Sequence, residues 1–415
     1  MARSKNRCVN IDWLEVYCLE SNEHYPMNAD FFRDHGFFVR ERDYGTRQYR
    51  EMFVILDKDD LPFLEIRRNP VSGSLASRNR GIFDPRSCHI RVSNRYCYAD
   101  DIVTRLSEFL MNFDYEVSRL FRLDLCMDFE KFDKGDDPHD VLVRYLKGKY
   151  TKINQGNISA HGADRWEGRD WNSLSWGAPT SMVSTKFYNK TLELSEAKDK
   201  PYIRYAWMQA GLVDDFVNLT KLNADGSLYK PVIWRVEFSI RSSARGWYVI
   251  EDCTGHKNKT MQKEHTLSTY ATKEDQLKAF ASLAHYYFHF KKYEEGVRKD
   301  RCPDKVLFDF GEHTVYRLDR LMTETPTDRT VEALAKRLRN FRIIHPEQSV
   351  REACDLLLKF IEELKLKGTL PDPYDHKEAK FLQALIARRL HSSEESLTIS
   401  IENVKAVLSL PESLF

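Results

Sequence analysis

Three short segments alternate residue by residue between apolar and polar, and that pattern restricts the chain to a sheet with two chemically different faces. They are Arg122-Leu-Asp-Leu-Cys-Met-Asp-Phe129, Ser184-Thr-Lys-Phe-Tyr-Asn-Lys190 and Trp234-Arg-Val-Glu-Phe-Ser-Ile-Arg241. Successive side chains on a strand point to opposite faces. Leu123, Leu125, Met127 and Phe129 therefore oppose Arg122, Asp124 and Asp128. Thr185 and Phe187 oppose Lys186, Tyr188 and Lys190, and Trp234, Val236, Phe238 and Ile240 oppose Arg235, Glu237 and Arg241. If the three strands share a sheet, one face is a core. The other gathers carboxylates, cations and a tyrosine, a set that a solvated face rarely needs and a phosphodiester-cutting site does.

The rest of the chain supplies partners for such a sheet. Residues 10–20 alternate loosely, 51–67 read as a hairpin through a Lys-Asp-Asp turn, and 88–92 read as a further strand. Helical spacing follows near 99, at 137–146 and at 273–290, with strands at 173–177, 181–190 and 232–241. Strands followed by a packing helix, twice over, predict an α+β domain: a curved antiparallel or mixed sheet with packed helices and an internal pseudo-repeat. Beyond Pro326 the texture turns helical, with Gly368, Pro371 and Pro373 as breakers. The expected division is a catalytic domain at 1–325 and a small all-helical domain at 326–415.

A chain of 415 residues, 42% hydrophobic and 31% charged, can bury a sizeable core and fits a soluble protein. No apolar run reaches the ~18 residues of a membrane span, and no apolar signal core follows the basic N-terminus, so a cytoplasmic location is expected. The eight cysteines show no Cys-x-x-Cys or zinc spacing, which points to reduced, buried thiols, Cys126 among them as a space-filler. A net charge of +1 is low for a nucleic-acid binder. The exception is one arginine-rich stretch, Arg67, Arg68, Arg78, Arg80, Arg86, Arg91 and Arg95, whose only acid is Asp84. Guanidinium groups suit forked phosphate contacts, so Arg67, Arg68, Arg78, Arg80, Arg86, Arg91 and Arg235 are candidate DNA contacts.

Tyr188 is the candidate nucleophile. Lys186 and Lys190 flank it at ~6.6 Å along an extended strand, where cations favour a phenolate and stabilise a phosphorane. Glu193 follows three residues past Lys190. Asp124, Asp128 and Glu237 are hard oxygen donors suited to Mg²⁺ or Mn²⁺. Positions four apart on a strand lie ~13 Å from each other, so one aspartate is expected to join Glu237 on a metal and the other to serve a cation. Cross-strand pairing with Arg122, Arg235 or Arg241 is the competing role for each acid. The sequence has no Walker-type Gly-rich loop and no His-x-His pair, and His89 stands alone.

At these residues the chain resembles the replication initiation factor family of rolling-circle plasmids, related to relaxases of conjugative and mobilisable elements. The resemblance lies in the 122–129 block, in Ser173-Leu-Ser-Trp-Gly177 followed by Ser184-Thr-Lys-Phe-Tyr-Asn-Lys-Thr-Leu-Glu193, and in Trp234-Arg-Val-Glu-Phe. Ile11-Asp-Trp-Leu resembles the family's first strand, so the likeness spans roughly 10–310. It implies a metal-dependent enzyme that nicks and rejoins one DNA strand at an origin, held single-stranded or as a hairpin. Tyr188 would stay linked to the 5′ phosphate, flanked by Lys190 and Glu193, with Asp124, Asp128 and Glu237 as the acidic positions. A host helicase and polymerase would be its partners. Two other readings remain open: an origin-binding protein without catalysis, in which Tyr188 stacks on a base, and a metal-dependent nuclease that uses water.

Overall fold

A computed structural model describes residues 6–71, 78–79, 82–153, 156–165, 168–178, 180–196, 200–251, 262–311 and 315–319. The chain divides at Asp319, and the expected helical domain at 326–415 lies outside the described residues. No described helix is long and apolar enough to cross a membrane.

The chain runs through strand β1 (Arg7–Leu19), helix α1 (Ala29–Asp34) and strands β2 (Phe38–Glu41), β3 (Tyr49–Leu56), β4 (Pro62–Pro70) and β5 (Ser87–Val92). Helix α2 (Ile102–Asn112) closes that half. The second half opens on β6 (Glu116–Phe129), then α3 (Pro138–Leu146), β7 (Ile158–Arg165), β8 (Gly168–Trp176) and β9 (Val183–Asn189). It continues through α4 (Lys190–Glu196), α5 (Pro201–Gln209), β10 (Trp234–Arg241) and α6 (Lys273–Tyr287).

Ten strands form one antiparallel sheet in the order β7-β8-β9-β10-β6-β1-β5-β4-β3-β2. Read outward from the centre, each half has the same order: first strand, fifth, fourth, third, second. A helix follows the first strand of each half, and another follows the fifth. The expected pseudo-repeat is thus a property of topology, and the halves join by the antiparallel pairing of β1 with β6.

The alternation of the sequence becomes the two faces of this sheet. Leu123, Leu125, Met127, Phe129, Phe187, Trp234, Val236, Phe238 and Ile240 join one core cluster with Phe280 and Leu283 of α6. Burying a side chain of this size contributes roughly 1.5–3 kcal/mol, so the nine fix the register of the three strands. Helix α6 starts with a capping box: Thr272 accepts from the Asp275 N–H, and Asp275 accepts from the Thr272 N–H.

On the opposite face, α5 lays Ile203 and Trp207 over the ends of β1 and β10, in a small cluster with Cys8, Leu194, Leu212, Val213 and Ile233. This cover comes from the long segment between the tyrosine strand and the Glu237 strand. It explains why Asp128, Cys126 and Arg235 are fully buried although they lie on the polar side.

Candidate functional site

Register brings the polar residues into rows across the sheet. Tyr188 lies opposite Arg235, which lies opposite Asp128; Lys186 lies opposite Glu237, which lies opposite Cys126; Ser239 lies opposite Asp124. Tyr188 is half-buried and Glu237 buried, while the Lys186 side chain is 49% exposed.

Glu237 is the hub. Its Oε2 accepts from the Tyr188 hydroxyl at 3.0 Å, and its Oε1 accepts from Lys186 Nζ at 3.0 Å. Burial and the Glu237 charge hold the Tyr188 phenol well above its ordinary pKa, so it rests as a neutral O–H donor. The same carboxylate holds the Lys186 ammonium above its ordinary value.

Lys190 arrives by a local device. Asn189 ends β9, and its side chain accepts from the Leu192 N–H, the N-cap geometry that starts α4. The strand therefore breaks directly after Asn189, and Lys190 is a buried first-turn residue, not a strand position. Its Nζ stands 3.5 Å from the Tyr188 oxygen and 2.5 Å from Glu193 Oε2. Burial and Arg235 lower its pKa. Glu193 is bridged to Lys200 at 3.0 Å; burial raises its pKa, but the two lysines outweigh burial and leave it lowered.

The two aspartates separate cleanly. Asp128 is sealed by the Arg235 fork, with Nε to Oδ1 at 2.5 Å and Nη2 to Oδ2 at 2.7 Å, and by Trp207 Nε1 at 2.7 Å. Arg235 also donates to Asp12 at 3.0 Å and to the Tyr98 hydroxyl at 2.9 Å, and Tyr98 donates to Asp12 at 2.5 Å. Burial opposes ionisation of Asp12, but Arg235 and Lys190 hold its pKa at about 2. Asp124 accepts from Arg122 in a fork, with Nε at 2.9 Å. Burial raises its pKa, the Arg122 bond opposes that, and the Glu237 charge adds to the rise.

Asp128 is taken up by Arg235 and Trp207, so Asp124 and Glu237 are the acids that could hold a divalent ion. They are oxygen donors on neighbouring strands, and the Glu237 charge adds to burial in raising the Asp124 pKa, a rise that a cation would oppose. Among the described residues, no group of three or more His, Cys, Asp and Glu side chains converges as a metal site would.

The arginine candidates scatter. Arg68 is buried against Glu20 at 2.7 Å and Glu51, and Arg235 is enclosed as above, so neither guanidinium faces solvent. Arg67 pairs with Glu65 at 2.5 Å and Glu15 at 3.1 Å, and Arg86 with Asp84 at 3.0 Å. Arg91 lies over the Trp13 ring at 3.5 Å, and Arg122 lies over the same ring at 4.3 Å. The side chain of Arg78, and Arg80, lie outside the described residues. His89 is buried, with Nδ1 3.2 Å from Glu15.

Asp12, Tyr98, Trp207 and Lys200 are the site residues that pattern reading misses. Asp12 carried a signal in Ile11-Asp-Trp-Leu; the others reach the site from loops and helices whose docking no local pattern encodes. A cavity of about 1410 Å³ lies beyond the Asp12–Arg235 network, lined by Tyr98, Tyr202, Tyr205, Phe216 and Lys273, and Tyr188 is not among its walls.

No protein-family model and no curated protein matches the chain. A solved structure of a rolling circle replication initiator protein from Geobacillus stearothermophilus is similar over 72% of this chain and 93% of that one, at 16% identity and a TM-score of 0.40.

Proposed function

We propose that this protein is a rolling-circle replication initiator or relaxase that nicks and rejoins one DNA strand through a covalent tyrosyl phosphate on Tyr188. The observation that carries this reading is a pair of contacts on one phenol: its hydroxyl donates to Glu237 at 3.0 Å, and Lys190 stands 3.5 Å from its oxygen. A candidate base must lie within hydrogen-bond reach of the proton it takes, and Glu237 meets that condition. Motif resemblance at 122–129, 173–193 and 234–238 supports the same reading.

In the proposed step the Tyr188 oxygen attacks phosphorus as its proton passes to Glu237. The bond from phosphorus to the 3′ oxygen breaks, leaving a 5′-phosphotyrosyl and a 3′ hydroxyl protonated from solvent. Lys190 stands on the attacking side, where it stabilises the forming phenolate and the equatorial oxygens of the phosphorane. An in-line leaving oxygen lies away from it, so Lys190 is not the acid for that group. Lys186 pairs with the other oxygen of the Glu237 carboxylate at 3.0 Å and orients it toward the phenol. Mg²⁺ or Mn²⁺, held by Asp124 and Glu237, would neutralise charge on the scissile phosphate.

The test is a denaturing protein gel after incubation with labelled single-stranded origin DNA and Mn²⁺. A covalent adduct that Tyr188→Phe abolishes is expected. Cleavage that survives Tyr188→Phe would overturn the reading in favour of a water-using nuclease, and binding without cleavage in any metal would make the protein an origin binder.

A further inference from the structure

We infer that Arg119, Arg241 and Arg245 form a phosphate-binding patch that holds the DNA strand flanking the scissile phosphate. The proposal takes the ligand's identity from the strand-cutting reading of Tyr188 and adds a surface which that reading does not supply.

The first observation is a register clash. Arg241 of β10 lies directly opposite Arg122 of β6 on the polar face. Like charges directly opposite are destabilising. Arg122 has Asp124, but Arg241 has no carboxylate in salt-bridge reach among the described residues, nor have Arg119 and Arg245.

The second is a bulge. Arg119 and Arg122 are three apart, which in a regular strand puts them on opposite faces. The pairing of β1 with β6 slips between Glu15 and Val16, so that Glu15 faces Arg122 and Tyr17 faces Arg119. Glu15 and Tyr17 share a face, and both arginines follow them onto it. Arg119 then lies over the Tyr17 ring at 4.5 Å.

The third is a set of unused donors. Arg119 Nε, Arg241 Nε and Ser243 Oγ are buried with no hydrogen-bond partner among the described residues. Buried polar groups are nearly always paired, and these donors, one on β6 and two at and just past the end of β10, are ones that a phosphate oxygen would satisfy. Burial, with the neighbouring arginines Arg122 for Arg241 and Arg119 for Arg245, depresses both guanidiniums. That is the direction an anion would reverse. Arg241 lies four residues along β10 from Glu237, about 13 Å, so a strand seated at Tyr188 runs over the patch.

The test is fluorescence anisotropy of a labelled single-stranded oligonucleotide against salt, for wild type and Arg241→Gln/Arg245→Gln, with thermal melting of each. About tenfold weaker binding per lost guanidinium is expected, with a salt slope reduced by about 1.4 for two contacts. The melting temperature should be unchanged or higher, because a repulsive pair has gone. Unchanged affinity and slope would overturn the patch, and so would weaker binding with a lowered melting temperature, which would make the arginines structural. A covalent adduct from wild type together with unchanged binding by the variant rejects the patch and keeps the tyrosine reading. Weaker binding by the variant with no adduct from wild type does the reverse.

Discussion

At the scale of single residues, the two aspartates of Arg122-Leu-Asp-Leu-Cys-Met-Asp-Phe129 have different work. Asp128 is the buried counter-ion of Arg235, both fully enclosed. Removing one partner of such a pair strands a charge, so Asp128→Asn should lower unfolding free energy by about 3–5 kcal/mol, read from urea denaturation. Asp124→Asn should cost under about 1 kcal/mol, because its ionised form is already disfavoured by burial and its Arg122 partner is partly solvated. The activity order should be the opposite at matched folded protein, with Asp124→Asn losing metal-stimulated cleavage. Glu237→Gln should slow cleavage by about 10²–10⁴-fold, the span expected of a lost general base, with DNA binding retained. Equal loss of binding and cleavage would remove Glu237 from the chemistry. Strand geometry had already limited Glu237 to one aspartate. Which one depended on Arg235 and Trp207, and Trp207 comes from a helix 79 positions away in sequence.

At the scale of elements, the strand that carries Tyr188 is set by what precedes and follows it. Asn189 converts strand into helix and delivers Lys190. Gly177 leaves β8 at a φ of +92°, and a Cβ there would stand 3.2 Å from the Val183 carbonyl oxygen and 3.3 Å from Ser184 Cα. Both neighbours are backbone, so the contact cannot be relieved by a rotamer change. Gly177→Ala should therefore cost at least the roughly 1–2 kcal/mol of the left-handed region, seen as a lower melting temperature. It should also weaken the adduct yield, because β9 follows directly. Alternation made β6, β9 and β10 legible, since a period of two with large apolar residues leaves only one face to bury. The breaks were not legible. The bulge that re-aims Arg119 and the cap that lifts Lys190 off the strand depend on pairing partners distant in sequence, and the periodicity of the residues themselves is silent about both.

At the scale of the molecule, the repeated topology has been loaded unevenly. Counting from the start of each first strand, the row Tyr17–His89–Arg67 takes the place of Cys126–Glu237–Lys186. Asn69 stands two residues beyond Arg67 where Tyr188 stands two beyond Lys186, so one half keeps the nucleophile and the other keeps an ion-pair cluster. The repeat was legible as an order of elements and not as residue identity, because the two halves share their strand order while their polar faces carry different residues. A buried histidine links the end of the arginine patch to helix-forming chain beyond it. His265 accepts from the Tyr270 hydroxyl at 2.9 Å, and its Nδ1 stands 3.4 Å from the carbonyl oxygen of Ala244. Burial lowers its pKa to about 4, against the Ala244 bond that favours the charged form. The unfolded chain, with a histidine near ~6.5, then binds more protons than the folded one between those values. Stability must fall as pH drops through that window, by up to about 3 kcal/mol. Below it Asp12 acts in the usual carboxylate sense. Its pKa of about 2 gives stability that is present above the unfolded value of 3.8 and lost as pH falls toward 2. Urea midpoints measured from pH 7 to 2 should therefore decline in two stages for the wild type. In His265→Gln the first stage should flatten and the second remain; an unchanged decline between pH 6.5 and 4 would show that His265 does not gate acid stability.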